Sequence, residues 1–204
     1  GVFSTLQVLP LLLLTLDAWR MKSEAGRAKS HVAAGRQVFV MEGVWLFVLA
    51  VNFWNIFGAG VFGSLINLQI VNSYAHATYM TGNHAHAAMF GVKGNIALGG
   101  MLFCGQHLLP KALWNEKLIK TSFWSLQIGL LMMMTMDLFP IGMYQLMIVF
   151  QEGLWYARSQ EILTGPVWRF FTYARSIGGT LFIVGGVFPL IWLFVSRAGS
   201  LRKE

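Results

Sequence analysis

Long apolar runs separated by short polar connectors organise this chain. A helix that crosses a bilayer needs about 20 mostly apolar residues. Five stretches meet that need: residues 2–19, 39–70, 81–104, 122–150 and 177–195. The first is interrupted only by Gln7, Pro10 and Asp17, and the second is long enough to tilt or to bend at its glycines. Only helices and closed barrels satisfy their backbone in lipid, so the pattern predicts an all-α polytopic bundle. Residues 1–204 form a single membrane domain in this reading.

Composition agrees with the pattern. Of 204 residues, 56% are hydrophobic and 11% charged, too apolar for an ordinary soluble domain. The net charge of +7 therefore speaks to topology and not to nucleic acid. The first connector carries Arg20, Lys22, Arg27, Lys29 and Arg36 against Glu24, and the second has no Lys or Arg. The third carries Lys111, Lys117 and Lys120. The fourth carries Arg158, Arg169 and Arg175, partly offset by Glu152 and Glu161, and the tail adds Arg197, Arg202 and Lys203. Alternation of this kind predicts a cytoplasmic C-terminus and puts the start of the 81–104 helix at the outer face. Cys104 has no partner for a disulfide within the chain. The chain opens at Gly1 and is apolar by Val2, and it reads as a piece of a longer protein or as a separate subunit. Met132, Met133, Met134 and Met136 read as adaptable core filler, and Gly58, Gly60 and Gly63 as sites of close helix approach.

Chemistry concentrates at the mouth of the third stretch. Three of the five histidines, His76, His84 and His86, lie there, and an ionisable residue inside a membrane is a functional candidate by default. Residues two apart on a helix point about 200° from each other and differ in height by about 3 Å. His84 and His86 therefore face opposite sides of one helix at similar depth. That spacing does not suit a shared small metal ion, whose helical ligands sit three or four apart. It suits two planar cofactors, one on either side. Ala85, Ala87, Ala88 and Gly91 would let a ring approach. The plainer reading is a pair of core histidines that hydrogen-bond between helices.

The motifs Gly58-Ala-Gly-Val-Phe-Gly63, Val71-Asn-Ser-Tyr-Ala-His76-Ala-Thr and Asn83-His84-Ala-His86-Ala-Ala-Met-Phe-Gly91 resemble the catalytic subunit of bacterial nitric oxide reductases, in the haem-copper oxidase superfamily. Phe3 to Pro10 resembles the helix preceding those motifs. Ser122 to Gly129, Leu138-Phe-Pro140 and Trp155 to Ser159 resemble the quinol-dependent type. The resemblance implies that the five stretches are the last five helices of a twelve-helix core. It implies His84 as the axial ligand of a high-spin haem of the b3 type, and His86 as one axial ligand of a low-spin haem b. It implies His76 beside the haem propionates, with Arg158 as a propionate partner. The non-haem metal, Fe or Cu, would be held by residues outside this chain, since His31 and His107 fall on the cytoplasmic side. Expected partners are the remaining helices of the catalytic chain, membrane lipid and a quinol or cytochrome electron donor. The expected setting is the cytoplasmic membrane of a bacterium or archaeon, in the service of denitrification and respiratory electron transport.

Two positions depart from the family pattern. Gln7 stands where these reductases carry a glutamate, and a carboxamide neither shuttles protons nor binds iron well. Besides nitric oxide reduction, that leaves a nitric oxide dismutase, an oxygen reductase or a non-catalytic electron-transfer subunit with haem b. Lys93 stands where an aromatic or apolar residue is usual. Seven residues after His86, it lies on that residue's helix face about 10 Å deeper in this reading. It is a proton-path residue, a charge that tunes the low-spin haem, or half of an ion pair, with Asp137 as one candidate partner.

Overall fold

The computed structural model describes residues 6, 8–31, 42–108 and 114–201, and every regular element among them is helical. α1 is Val8–His31. Four helices among the described residues are long and apolar enough to cross a membrane: α2 (Gly43–Ile66), α4 (Tyr79–Leu108), α5 (Glu116–Glu152) and α7 (Pro166–Ser196). Short helices α3 (Gln69–Ala75) and α6 (Gln160–Leu163) occupy two connectors. The all-α membrane bundle read from the sequence is the observed architecture.

Several boundaries differ from the expected ones for local reasons. The apolar part of α1 is the shorter segment Val8–Asp17, but the helix runs on to His31 through the basic connector. Ala, Arg, Met, Lys and Glu there are strong helix formers, and Arg20 pairs with Asp17 one turn back at 3.7 Å. α2 ends at Ile66 because Asn67 turns back, its Nδ2 donating to the Gly63 carbonyl at 2.7 Å. α7 starts well before residue 177. Gly165 is extended, and Pro166 sits in the first turn, where its missing N–H costs nothing. Arg169 and Arg175 therefore belong to a helix and not to a connector.

Each of the four long helices also contains a π-helical segment that the apolar pattern did not announce. These are Asn55–Val61, Ala87–Gly94, Met134–Leu138 and Leu181–Val187. Such segments are rare and gather at functional sites.

The core lies where α2, α4, α5 and α7 meet. Phe47, Leu102, Ile119, Leu126, Leu130, Leu190 and Leu193 are buried there, and Phe47 meets Phe123 edge-on with centroids 5.1 Å apart. In lipid, helices associate through close packing and not through exclusion of water. Glycine contacts provide that closeness. A Cβ added at Gly178 would lie 2.8 Å from the Gly129 carbonyl oxygen and 2.9 Å from the Met133 amide nitrogen.

Both obstacles at Gly178 are backbone, so Gly178→Val should cost about 1–3 kcal/mol through overpacking. A lowered melting temperature in detergent checks this. Gly100, with nothing within 4 Å of an added Cβ, should accept alanine without loss.

Candidate functional site

The site begins where α3 hands over to α4. His76 closes α3 and is exposed, and Ala77 adopts φ +55°, an uncommon conformation for a residue with a side chain. Thr78 then caps α4, with Oγ1 accepting from the Met80 amide at 3.3 Å and donating to the Ala75 carbonyl at 2.7 Å. Two further bonds pin this bend. Arg158, in the turn Tyr156–Arg158, donates from Nη2 to the His76 carbonyl at 3.2 Å. Gln145 on α5 is 3% exposed, and its Oε1 accepts from the Tyr79 amide at 2.9 Å. Its Nε2 donates to the Ala157 carbonyl at 3.0 Å. The structure thus brings His76 and Arg158 together at one end of the bundle, while the Nε of Arg158 is buried without a hydrogen-bond partner. In the same turn, Glu161 beside Tyr156 raises the phenol above its usual range and keeps it protonated.

His84 and His86 follow two turns into α4. The His84 ring rests on Gly63 of α2, where an added Cβ would come within 2.5 Å of Cε1. Its Nδ1 meets the Gly58 carbonyl at 3.2 Å. The Nδ1 of His86 meets the carbonyl of Gly82, one turn earlier in its own helix, at 2.9 Å. A carbonyl oxygen only accepts, so Nδ1 carries the hydrogen in both rings. In each neutral imidazole, Nε2 is then left with the free lone pair. The two rings face different neighbours. His84 lies against α2, with Phe62 6.5 Å away. His86 packs on Phe90 at 5.4 Å, and Phe90 in turn meets Phe182 of α7 at 5.7 Å. The two-sided helix expected from the spacing is therefore observed.

On the His86 side, a cavity of about 220 Å³ opens between α4, α5 and α7, lined by Phe90, Leu98, Leu130 and Phe182 among others. Asn95 and Gln127, which also line it, belong to a hydrogen-bonded chain that the sequence reading missed. Trp54 Nε1 donates to Gln127 Oε1 at 2.7 Å, Gln127 Nε2 to Asn95 Oδ1 at 2.9 Å, and Asn95 Nδ2 to the Gly91 carbonyl at 2.7 Å. This chain joins α2, α5 and α4 just beyond the histidines. Trp54 also packs against Gly91, where an added Cβ would meet its ring at 2.5 Å. The available signal was polar residues inside apolar runs, which are costly unless partnered.

Two expectations about Lys93 do not hold. The π-helical Ala87–Gly94 intervenes after His86, so seven residues no longer make two regular turns, and Lys93 is exposed on this chain. Asp137 pairs instead with Arg175 on α7, with Nε and Oδ2 3.3 Å apart. Gln7 lies outside the described residues. No group of three or more His, Cys, Asp or Glu among the described residues is arranged to hold a metal ion.

The structure is thus a membrane helix bundle in which one helix presents two imidazoles to different neighbours. Comparison with known sequences gives the family. Residues 1–181 match the family "Cytochrome C and Quinol oxidase polypeptide I", and the chain belongs to it. It is also 25% identical over 192 residues to a nitric oxide reductase subunit from Stutzerimonas stutzeri, an alignment covering 91% of this chain and 37% of that relative. The chain thus spans little more than a third of the relative's length.

Gln145 is the brace of this end of the bundle. Gln145→Leu would strand a buried amide and a buried carbonyl, at about 1–3 kcal/mol for each group left unsatisfied. Faster hydrogen exchange at Tyr79 and throughout the 156–158 turn, together with a lower melting temperature, is the expected result.

Proposed function

We propose that this chain supplies one axial ligand to each of two haems in a membrane terminal reductase of the nitric oxide reductase type. His84 holds the high-spin haem b3 at the catalytic centre, and His86 holds the low-spin haem b that feeds it. The observation that carries this reading is the pairing of each Nδ1 with a backbone carbonyl. Iron-ligating histidines have their second nitrogen fixed in just this way, which sets the tautomer and raises ligand basicity. The donor chemistry therefore fits haem iron, with Nε2 of each ring as the ligating atom. Haem held by these two residues would supply redox-active iron for electron transfer and for binding a diatomic substrate.

The remaining residues have positioning roles. Gly63 and Gly58 seat the His84 ring, and a side chain at either would displace it or the neighbouring helix turn. Arg158 holds the His76 bend and keeps a buried Nε free, which suits a propionate carboxylate taken up by its planar fork. The non-haem Fe or Cu and the second low-spin ligand come from the remaining helices of the catalytic unit. Those helices cover the apolar surface exposed at Phe57, Val61, Leu65 and Met89.

The orientation, with a cytoplasmic C-terminus in a bacterial or archaeal inner membrane, gains support from the fold. With Arg169 and Arg175 on α7, the connector from α5 to α7 holds Arg158 against Glu161 and fits the outer side. Electrons come from a quinol or a cytochrome that docks on those remaining helices. Nitric oxide is the substrate and nitrous oxide the product. Gln7, in place of the family's glutamate, favours a second reading in which the same frame serves a nitric oxide dismutase or an oxygen reductase.

In the complete haem-loaded enzyme, His84→Ala should abolish carbon monoxide binding to the reduced state and leave the low-spin spectrum in place. His86→Ala should remove the low-spin bands and keep carbon monoxide binding. A His84→Ala protein that still forms the carbon monoxide complex would sink the assignment. Isotope-labelled nitric oxide then separates the two readings by product: nitrous oxide, or dinitrogen with oxygen.

A further inference from the structure

The proposed function leaves the pair Asp137–Arg175 without a role. Asp137 is 0% exposed in the π-helical turn Met134–Leu138 of α5, whereas the Arg175 side chain on α7 is 36% exposed. A carboxylate is costly at this depth, and neither of its oxygens makes a hydrogen bond. Its position is set by packing on two sides. The Gly129–Gly178 contact draws α5 and α7 together and brings Arg175, one turn from Gly178, to the carboxylate. On the other side, Leu138 packs over Gly82, 3.8 Å from the position of an added Cβ. Gly82 is the residue whose carbonyl takes the Nδ1 hydrogen of His86, so the residue next to Asp137 packs on the turn that holds that ring.

We propose that the Asp137–Arg175 pair is a fixed dipole that sets the reduction potential of the haem held by His86. This rests on His86 as a haem ligand. The buried carboxylate lies where Coulomb interactions are weakly screened, and each charge of the pair acts on the iron with its own sign. The carboxylate favours the oxidised haem, and the guanidinium favours the reduced haem with one positive charge fewer. Neither residue touches the cofactor ligand, and both are positioning residues acting through the field.

The test is a spectroelectrochemical titration of the low-spin bands in the complete haem-loaded enzyme. Asp137→Asn should raise the midpoint potential and Arg175→Gln should lower it, with the double variant lying between the two. Arg175→Lys keeps the charge and should restore a potential near wild type even if Asp137→Asn does not accumulate as folded protein. A merely structural pair predicts shifts of one common sign, or none, and either result overturns the inference. If His86→Ala leaves the low-spin spectrum intact, the haem assignment and the inference fall together. Intact low-spin ligation with unmoved potentials overturns the dipole alone.

Discussion

The close contact of α2 with α4 is the constraint on which the rest depends. At Gly58 an added Cβ would come within 2.2 Å of the Ala87 side chain, and at Gly63 and Gly91 it would meet His84 and Trp54 at 2.5 Å. Nothing larger than hydrogen fits at any of these points. Because the backbones approach so closely, a peptide carbonyl of one helix can reach an imidazole of the other. The Gly58–His84 hydrogen bond is thus a product of packing, and the orientation of the His84 ring follows from it. Trp54, pressed against Gly91, closes the same interface from below.

Polar groups inside the bundle obey a second constraint, since lipid offers them no partners. The structure answers with chains and bridges. Trp54, Gln127 and Asn95 end on a backbone carbonyl, and Gln145 ties the start of α4 to the Arg158 turn. The Trp54 chain cannot relay protons, because the indole only donates, so its part is to hold three helices in register. Bonds of this kind between membrane helices are individually modest. Their value here is geometric, because they fix the angular setting of the histidine-bearing turn.

Much of the architecture was legible in the sequence. Apolar runs of spanning length gave the bundle, and the two-residue spacing of His84 and His86 gave two rings with different neighbours. The role of glycine as a contact residue was legible at Gly58 and Gly63. Other features were not. The beginning of α7 was hidden because Arg169 and Arg175 look like loop residues until Asp137 supplies a partner from another helix. Lys93 was misplaced because a regular turn was assumed across Ala87–Gly94. The partners of Gln145 and Gln127 lie 66 and 32 residues away in sequence. Long-range pairing of this sort leaves no local trace.

The π-helical segments carry a consequence for how such a chain can change over time. Each long helix is in effect two half-helices joined by a widened turn, so the faces on either side of that turn have separate angular phases. A substitution leaves that phase alone. The gain or loss of one residue inside the turn would rotate everything beyond it by about 100°. These helices can therefore drift widely in residue identity while the number of residues between His86 and the Asn95 brace stays fixed.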